Sequence, residues 1–236
     1  MNIKLIASGS RPWEKWVGYW GLSYLIDDTI LFDTFGNYPM LARKLRKAHV
    51  DIASIQSVVI SHDHWDHIGG LWTFLEKRPG LDVYLPPTAK SAVKSRVISC
   101  GGCVIDTAGI KTLKEGVLLS GEIMGEFNGK PIAEHFIVIK GSKGLTILVG
   151  CSHPSILAIA RKAKEAFNMP VYGVIGGLHL FRSKIEEVYQ CANALKNEGI
   201  KMVAPTHCTG WRAERVFKRV FGNGFVSLSE NQSLSL

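Results

Sequence analysis

The chain has 236 residues, 46% of them hydrophobic and 20% charged, enough apolar material for one sizeable core and too much for a disordered polymer. No run reaches the ~18 consecutive apolar residues of a membrane span, and the first ten residues lack an apolar stretch ending in a cleavage-like site, so the expectation is a soluble, cytoplasmic protein with no membrane partner. Lys plus Arg number 28 against 20 Asp plus Glu, a net charge of +8 that favours anionic, phosphate-bearing small-molecule partners.

Short β-favouring runs open the chain at Ile3 to Ala7, Leu22 to Ile26 and Thr29 to Phe32, with Asp27-Asp28 as a tight turn between the last two. A helix with apolar residues at 41, 42, 45 and 48 is expected over Met40 to Ala48, followed by a buried strand over Ser57 to Ser61. Next come a helix from Ile68 to about Lys77, a strand from Asp82 to Leu85 and a helix from Thr88 to Val97. Residues 88–111, with Gly101 and Gly102, suggest a lid. Strands follow at Val117 to Leu119, His135 to Lys140 and Leu145 to Val149, the last two joined as a hairpin by Gly141-Ser-Lys-Gly144. The remaining steps are a helix starting at Pro154, strand Val171 to Ile175, helix Ser183 to Asn197, strand Met202 to Ala204, helix Trp211 to Val220 and strand Phe225 to Leu228. No linker or repeat divides the chain, so residues 1–236 are expected as a single α/β domain of layered mixed sheets.

The chemistry concentrates in Ser61-His62-Asp63-His64-Trp65-Asp66-His67-Ile68-Gly69-Gly70, where a buried strand gives way to a helix. With eight His and eight Asp in the chain, HxHxDH arises by chance in roughly three of ten thousand such sequences. Alternation puts His62 and His64 on one side of an extended segment, and the turn into the helix swings Asp66 and His67 toward a neighbouring point. Imidazoles with a carboxylate suit zinc, iron or manganese, whereas calcium and magnesium prefer all-oxygen shells. Cys100-Gly-Gly-Cys103 also has clip spacing, but no second CxxC pair completes a structural zinc site, and five cysteines in a chain of this length fit a reduced compartment.

The segment resembles the signature of the metallo-β-lactamase superfamily, and Gly21-Leu-Ser-Tyr-Leu-Ile26, Thr29-Ile-Leu-Phe-Asp-Thr34, Thr146-Ile-Leu-Val-Gly150 and Pro205-Thr-His-Cys208 follow in that superfamily's order. The resemblance implies an αββα sandwich of two mixed sheets and two divalent transition metal ions, zinc first and iron or manganese as alternatives. It makes His62 and His64 ligands of one metal, and Asp66, His67 and His207 ligands of the other. Asp33 resembles a buried aspartate that supports the metal histidines from behind. Cys151 stands where many members carry a bridging aspartate. His153, two residues on, is then the candidate that completes the first site, while Cys151 as thiolate also suits zinc or iron.

His179, in Gly176-Gly-Leu-His-Leu180, is either a metal ligand or a general acid toward a leaving oxygen, and Asp66 is a further candidate for proton transfer. Arg11, Trp13 and Trp16, in a loop from Ser8 to Trp20, would suit a planar ring plus phosphate. His49 and His135 read as surface and core residues.

SHDHWDHIGGL, GCSHPSI, IGGLHL and PTHCTG together are most similar to the subgroup containing 7,8-dihydropterin-6-methyl-4-(β-ribofuranosyl)aminobenzene 5′-phosphate synthase. That likeness implies a transferase of pterin biosynthesis that joins a dihydropterin diphosphate to a ribofuranosylaminobenzene phosphate with release of diphosphate. A metal-dependent hydrolase, phosphodiesterase or nuclease is the alternative, and a non-catalytic metal sensor a third. No basic-aromatic pattern of a nucleic-acid module is present, so nucleic acid is not an expected partner; an oligomer is compatible with the amphipathic outer helices.

Overall fold

The computed structural model describes residues 1–11 and 13–236 in full and the backbone of residue 12. The chain divides into two compact units, residues 1–108 with 228–236, and residues 109–227.

In the first unit β1 (Asn2–Ser8) pairs antiparallel with β2 (Leu22–Ile26), and β2 with β3 (Ile30–Phe32). Asp27 and Asp28 make the β2–β3 turn with φ of 44° and 58°. Two consecutive left-handed residues match the right-handed twist of a hairpin, and short acidic side chains tolerate that conformation. Between β1 and β2 lies α1 (Pro12–Trp16), so the segment from Ser8 to Trp20 is not all loop. Glu14 closes its first turn by accepting the Ser10 and Arg11 N–H groups.

The chain then switches to parallel connections. β4 (Ser57–Val59) follows α2 (Tyr38–Lys47), and β5 (Asp82–Leu85) and β6 (Cys103–Asp106) extend the sheet parallel to β3 and β4. Asn37 caps α2 by accepting the Met40 N–H, and Leu41 and Leu45 face inward. The helix expected from residue 68 is two helices, α3 (Trp65–Ile68) and α4 (Leu71–Lys77). Gly69 and Gly70 lie between them because nothing larger fits: a Cβ at Gly69 would sit 2.0 Å from the Gly36 carbonyl oxygen, and one at Gly70 2.2 Å from that of Thr34. Residues 88–111, expected as a lid, contain α5 (Ser91–Ser99), which feeds the edge strand β6. This unit's core gathers Ile6, Leu25, Leu31, Leu41, Val58, Ile60, Phe74 and Val83.

In the second unit β7 (Lys111–Lys114), β8 (Val117–Leu119), β11 (Ile137–Gly141) and β12 (Gly144–Val149) are antiparallel neighbours. β13 (Val171–Gly177) and β14 (Met202–Thr206) continue in parallel, giving the order β14-β13-β12-β11-β8-β7 among the described residues. Between β8 and β11 the chain forms a separate two-stranded ribbon, β9 (Ile123–Phe127) with β10 (Lys130–Glu134).

Three amphipathic helices carry the crossovers: α6 (Ile156–Phe167), α7 (Ile185–Asn197) and α8 (Trp211–Phe221). α6 begins after Pro154, because Ser155 is the cap and accepts the Ala158 N–H. Val138, Ile147, Val149, Ile159, Val174, Val203 and Phe217 lie in this unit's core. The strand expected over 225–228 is reduced to one bridge between Val203 and Phe225. The last strand is instead β15 (Ser233–Ser235), which pairs with β1 of the first unit and completes the sheet β15-β1-β2-β3-β4-β5-β6. No helix among the described residues is long and apolar enough to cross a membrane.

Candidate metal centre

In open α/β sheets the C-terminal ends of parallel strands are where ligands bind, and in both units these ends carry the chemical side chains. In the first unit β3 ends at Asp33 and β4 runs out into Ser61, His62, Asp63 and His64 before α3 begins. Asp33 has φ of 59°, an uncommon left-handed conformation for a non-glycine residue. Its completely buried carboxylate accepts the Ser61 N–H at 2.7 Å, the Ser61 hydroxyl at 2.8 Å and His67 Nδ1 at 2.6 Å. A carboxylate on Nδ1 keeps the proton there and leaves Nε2 of His67 as the lone-pair nitrogen.

His62 and His67 are fully buried, with ring centroids 4.1 Å apart. His62 Nε2 lies 3.1 Å from His64 Nδ1, and the Asp66 carboxylate reaches within 3.8 Å of His67 Nε2. Tetrahedral zinc with Zn–N near 2.0–2.1 Å sets neighbouring donors about 3.3 Å apart, close to the His62–His64 spacing. Burial pushes the His64 imidazole below its ordinary value; His67 acts in the same sense, and the Asp66 and Asp63 carboxylates oppose it. A neutral ring is the form that donates a lone pair to a metal. Asp63 faces elsewhere, pairing with Lys90 at 3.1 Å.

Arg11, Trp13 and Trp16 sit at and within α1, with Trp13 56% and Trp16 89% exposed. Trp20, from the same stretch, is buried and belongs to the core. Trp65, also half exposed, stands between His64 and Asp66 with Lys15 Nζ 6.0 Å from its ring centroid.

In the second unit three adjacent parallel strands end in the same manner. β12 leads to Cys151, Ser152 and His153, β13 to His179, and β14 to His207 and Cys208. Ser152, His179 and His207 all adopt positive φ, at 61°, 54° and 51°. Such strain persists where surrounding structure enforces it and clusters at functional sites. Ligand atoms of Cys151, His153 and His179 lie within 4.8 Å of one another, as do those of Cys151, His207 and Cys208. The His153 and His179 rings are 4.5 Å apart, and Phe127 of the β9–β10 ribbon packs on both, at 5.2 and 5.7 Å.

Burial works against ionisation of Cys208, but its hydrogen bonds with Cys151 and His179 and the nearby His207 outweigh that effect, placing the thiol well below its ordinary value. Cys100 and Cys103 end α5 and start β6, and no disulfide forms among the described residues. His49 is exposed just past α2, and His135 is buried just before β11.

Two groups escaped the sequence reading. Glu134, fully buried at the end of β10, accepts the backbone N–H groups of Cys151, Ser152 and His153 at 2.9, 3.0 and 2.8 Å. One carboxylate therefore holds the whole loop on which Cys151 and His153 stand. Cys208 is the other, and its neighbour His207 in the Thr-His-Cys step was the only signal that pointed to it.

The family model described as the metallo-beta-lactamase superfamily matches residues 21–121. The chain is 28% identical, over 96% of its own length and 94% of the relative's, to 7,8-dihydropterin-6-methyl-4-(β-D-ribofuranosyl)-aminobenzene-5′-phosphate synthase of Methanocaldococcus jannaschii. The crystal structure of Tm1679, a metal-dependent hydrolase of the β-lactamase superfamily, matches with TM-score 0.79 at 26% identity, covering 100% of this chain and 99% of that one. The metallo-β-lactamase fold protein YhfI from Bacillus subtilis matches in fold with TM-score 0.70 at 13% identity, covering 99% of each chain.

Proposed function

Because the chain has the metallo-β-lactamase fold and resembles that superfamily across its length, we propose that it is a metal-dependent enzyme acting on a phosphorylated small molecule through two divalent transition metal ions. In this reading, following the resemblance, His62 and His64 are ligands of one ion and Asp66 and His67 of the other, with His153 and His207 as further ligands on the second unit. The observation that carries it is the cluster of buried His62, Asp66 and His67 with half-buried His64, and Asp33 fixing the His67 tautomer from behind. These donors fit the ions: nitrogen-rich with one carboxylate, they suit zinc, and iron or manganese next, over magnesium or calcium. When bound, such a pair of ions lowers the pKa of water, polarises a phosphoryl oxygen and clamps the leaving oxygen.

The chain's own side chains supply the rest. Asp66 accepts a proton during attack, and His179 donates one to the departing oxygen. Arg11 binds a phosphate while Trp13 and Trp16, exposed on α1, cover a planar ring. The net charge of +8 draws anionic substrates in. The similarity to the Methanocaldococcus synthase favours transfer, in which the amine nitrogen of the ribofuranosylaminobenzene phosphate forms a C–N bond to the pterin's side-chain carbon as the C–O bond to diphosphate breaks, the amine giving up a proton and diphosphate leaving. The similarity to Tm1679, a metal-dependent hydrolase, supports a second reading, metal-dependent hydrolysis, for which the positive net charge favours a phosphate ester.

Elemental analysis of the purified protein, with turnover of dihydropterin diphosphate plus its acceptor and of linear and cyclic phosphodiesters, separates the two. About two metals per chain with the coupled pterin product supports the synthase. Turnover of phosphodiesters alone supports the hydrolase, and a protein that takes up no metal overturns both.

A further inference from the structure

We propose that one of the two ions is held through sulfur, with Cys151, Cys208 and His207 forming a soft-donor site at the ends of β12 and β14 that selects zinc or iron(II). The inference rests on the metal-enzyme reading above and goes beyond it, since that reading leaves Cys208 without a role and draws its ligands from imidazole and carboxylate.

Three observations support it. The Sγ atoms of Cys151 and Cys208 and a ring nitrogen of His207 lie within 4.8 Å of one another, and all three residues are buried. Zn–S bonds of about 2.3 Å place two sulfurs of a tetrahedral shell about 3.8 Å apart, which such a cluster accommodates. The intervening strand makes room for the sulfur: a Cβ on Gly177, at the end of β13, would lie 2.7 Å from Cys208 Sγ and 2.3 Å from the Gly150 carbonyl oxygen. Only glycine leaves this space. Finally, the His179 backbone N–H points at Cys208 Sγ from 3.3 Å. Hydrogen bonds to a ligand sulfur stabilise its negative charge and tune the ion it holds.

The balance of charge supports the same assignment. Apart from Asp66, the ligands assigned in that reading are neutral imidazoles, so the two ions share a single anionic side chain. Two thiols add anionic donors as each S–H gives its proton to water and the sulfur pair binds the ion. Thiolates favour zinc and iron(II) over manganese and magnesium, so the sulfur pair narrows the choice of metal.

The test uses the full-length protein. X-ray absorption at the zinc edge of the zinc-loaded protein should show sulfur scatterers at about 2.3 Å. The cobalt(II)-substituted protein should show a near-ultraviolet sulfur-to-cobalt charge-transfer band, reduced by about half in Cys151→Ser and in Cys208→Ser and absent from the double variant. Bound zinc with only nitrogen and oxygen neighbours, or cobalt d–d bands without the sulfur band, would overturn the proposal while leaving the metal-enzyme reading intact. Failure of the wild-type protein to bind either ion would overturn both. The zinc-edge measurement needs no variant, so poor folding of a serine variant leaves the test decisive.

Discussion

At His67 the ring is committed on its far side before any ion binds. Nδ1 gives its hydrogen to Asp33, and that carboxylate is itself fixed by the N–H and hydroxyl of Ser61. Asp33→Asn weakens this acceptor pair and frees the imidazole to take its other tautomer, so metal affinity should fall about 10–100-fold. Titration of metal-free protein with zinc checks this, and an unchanged affinity would limit Asp33 to a folding role. His62 and His67 are assigned to different ions. His62→Ala and His67→Ala should therefore each remove about one metal per chain together with most activity. Elemental analysis of the two variants is the check, and a variant that keeps both ions would refute its assignment.

The β9–β10 ribbon shows what an element contributes that a residue cannot. Glu134 at one end gathers three backbone N–H groups, and Phe127 at the turn walls the His153 and His179 rings. Each buried N–H left without an acceptor costs about 1–3 kcal/mol. Glu134→Gln, which keeps one acceptor oxygen, should lose about 1–3 kcal/mol, and Glu134→Ala more than that. Urea unfolding of the metal-free variants measures the loss, and wild-type stability in Glu134→Ala would show that the loop holds itself.

None of this ribbon was legible in the sequence. Gly125 interrupts β9 and Pro131 sits inside β10, both poor strand residues, so the pattern did not announce strands. Leu22–Ile26 and Asp82–Leu85, by contrast, are short unbroken runs whose bounds the alternation and flanking turns define. The donors show the same contrast. His62, His64, Asp66 and His67 fall within six consecutive positions and stand out as a motif, whereas Glu134 acts on backbone groups 17 to 19 positions away, which no side-chain pattern encodes.

Across the whole molecule, the proposed ligands come from the ends of three strands, β4, β12 and β14, far apart in sequence. The unfolded chain has no comparable arrangement, and ions that bind the folded state stabilise it by mass action. At a free concentration about 100 times its dissociation constant, one ion contributes about 2.7 kcal/mol. For a chain of this size each kcal/mol moves the melting temperature about 2–4 °C, so removal of one ion should lower it by about 5–11 °C and removal of both by about twice that. Thermal unfolding before and after exhaustive chelation, and again after zinc is restored, measures the shift. Recovery on adding zinc separates metal binding from damage by the chelator. A melting temperature indifferent to both treatments would mean that the folded chain binds no ion more tightly than the unfolded one does, and the clustered imidazoles and thiols would then need another explanation.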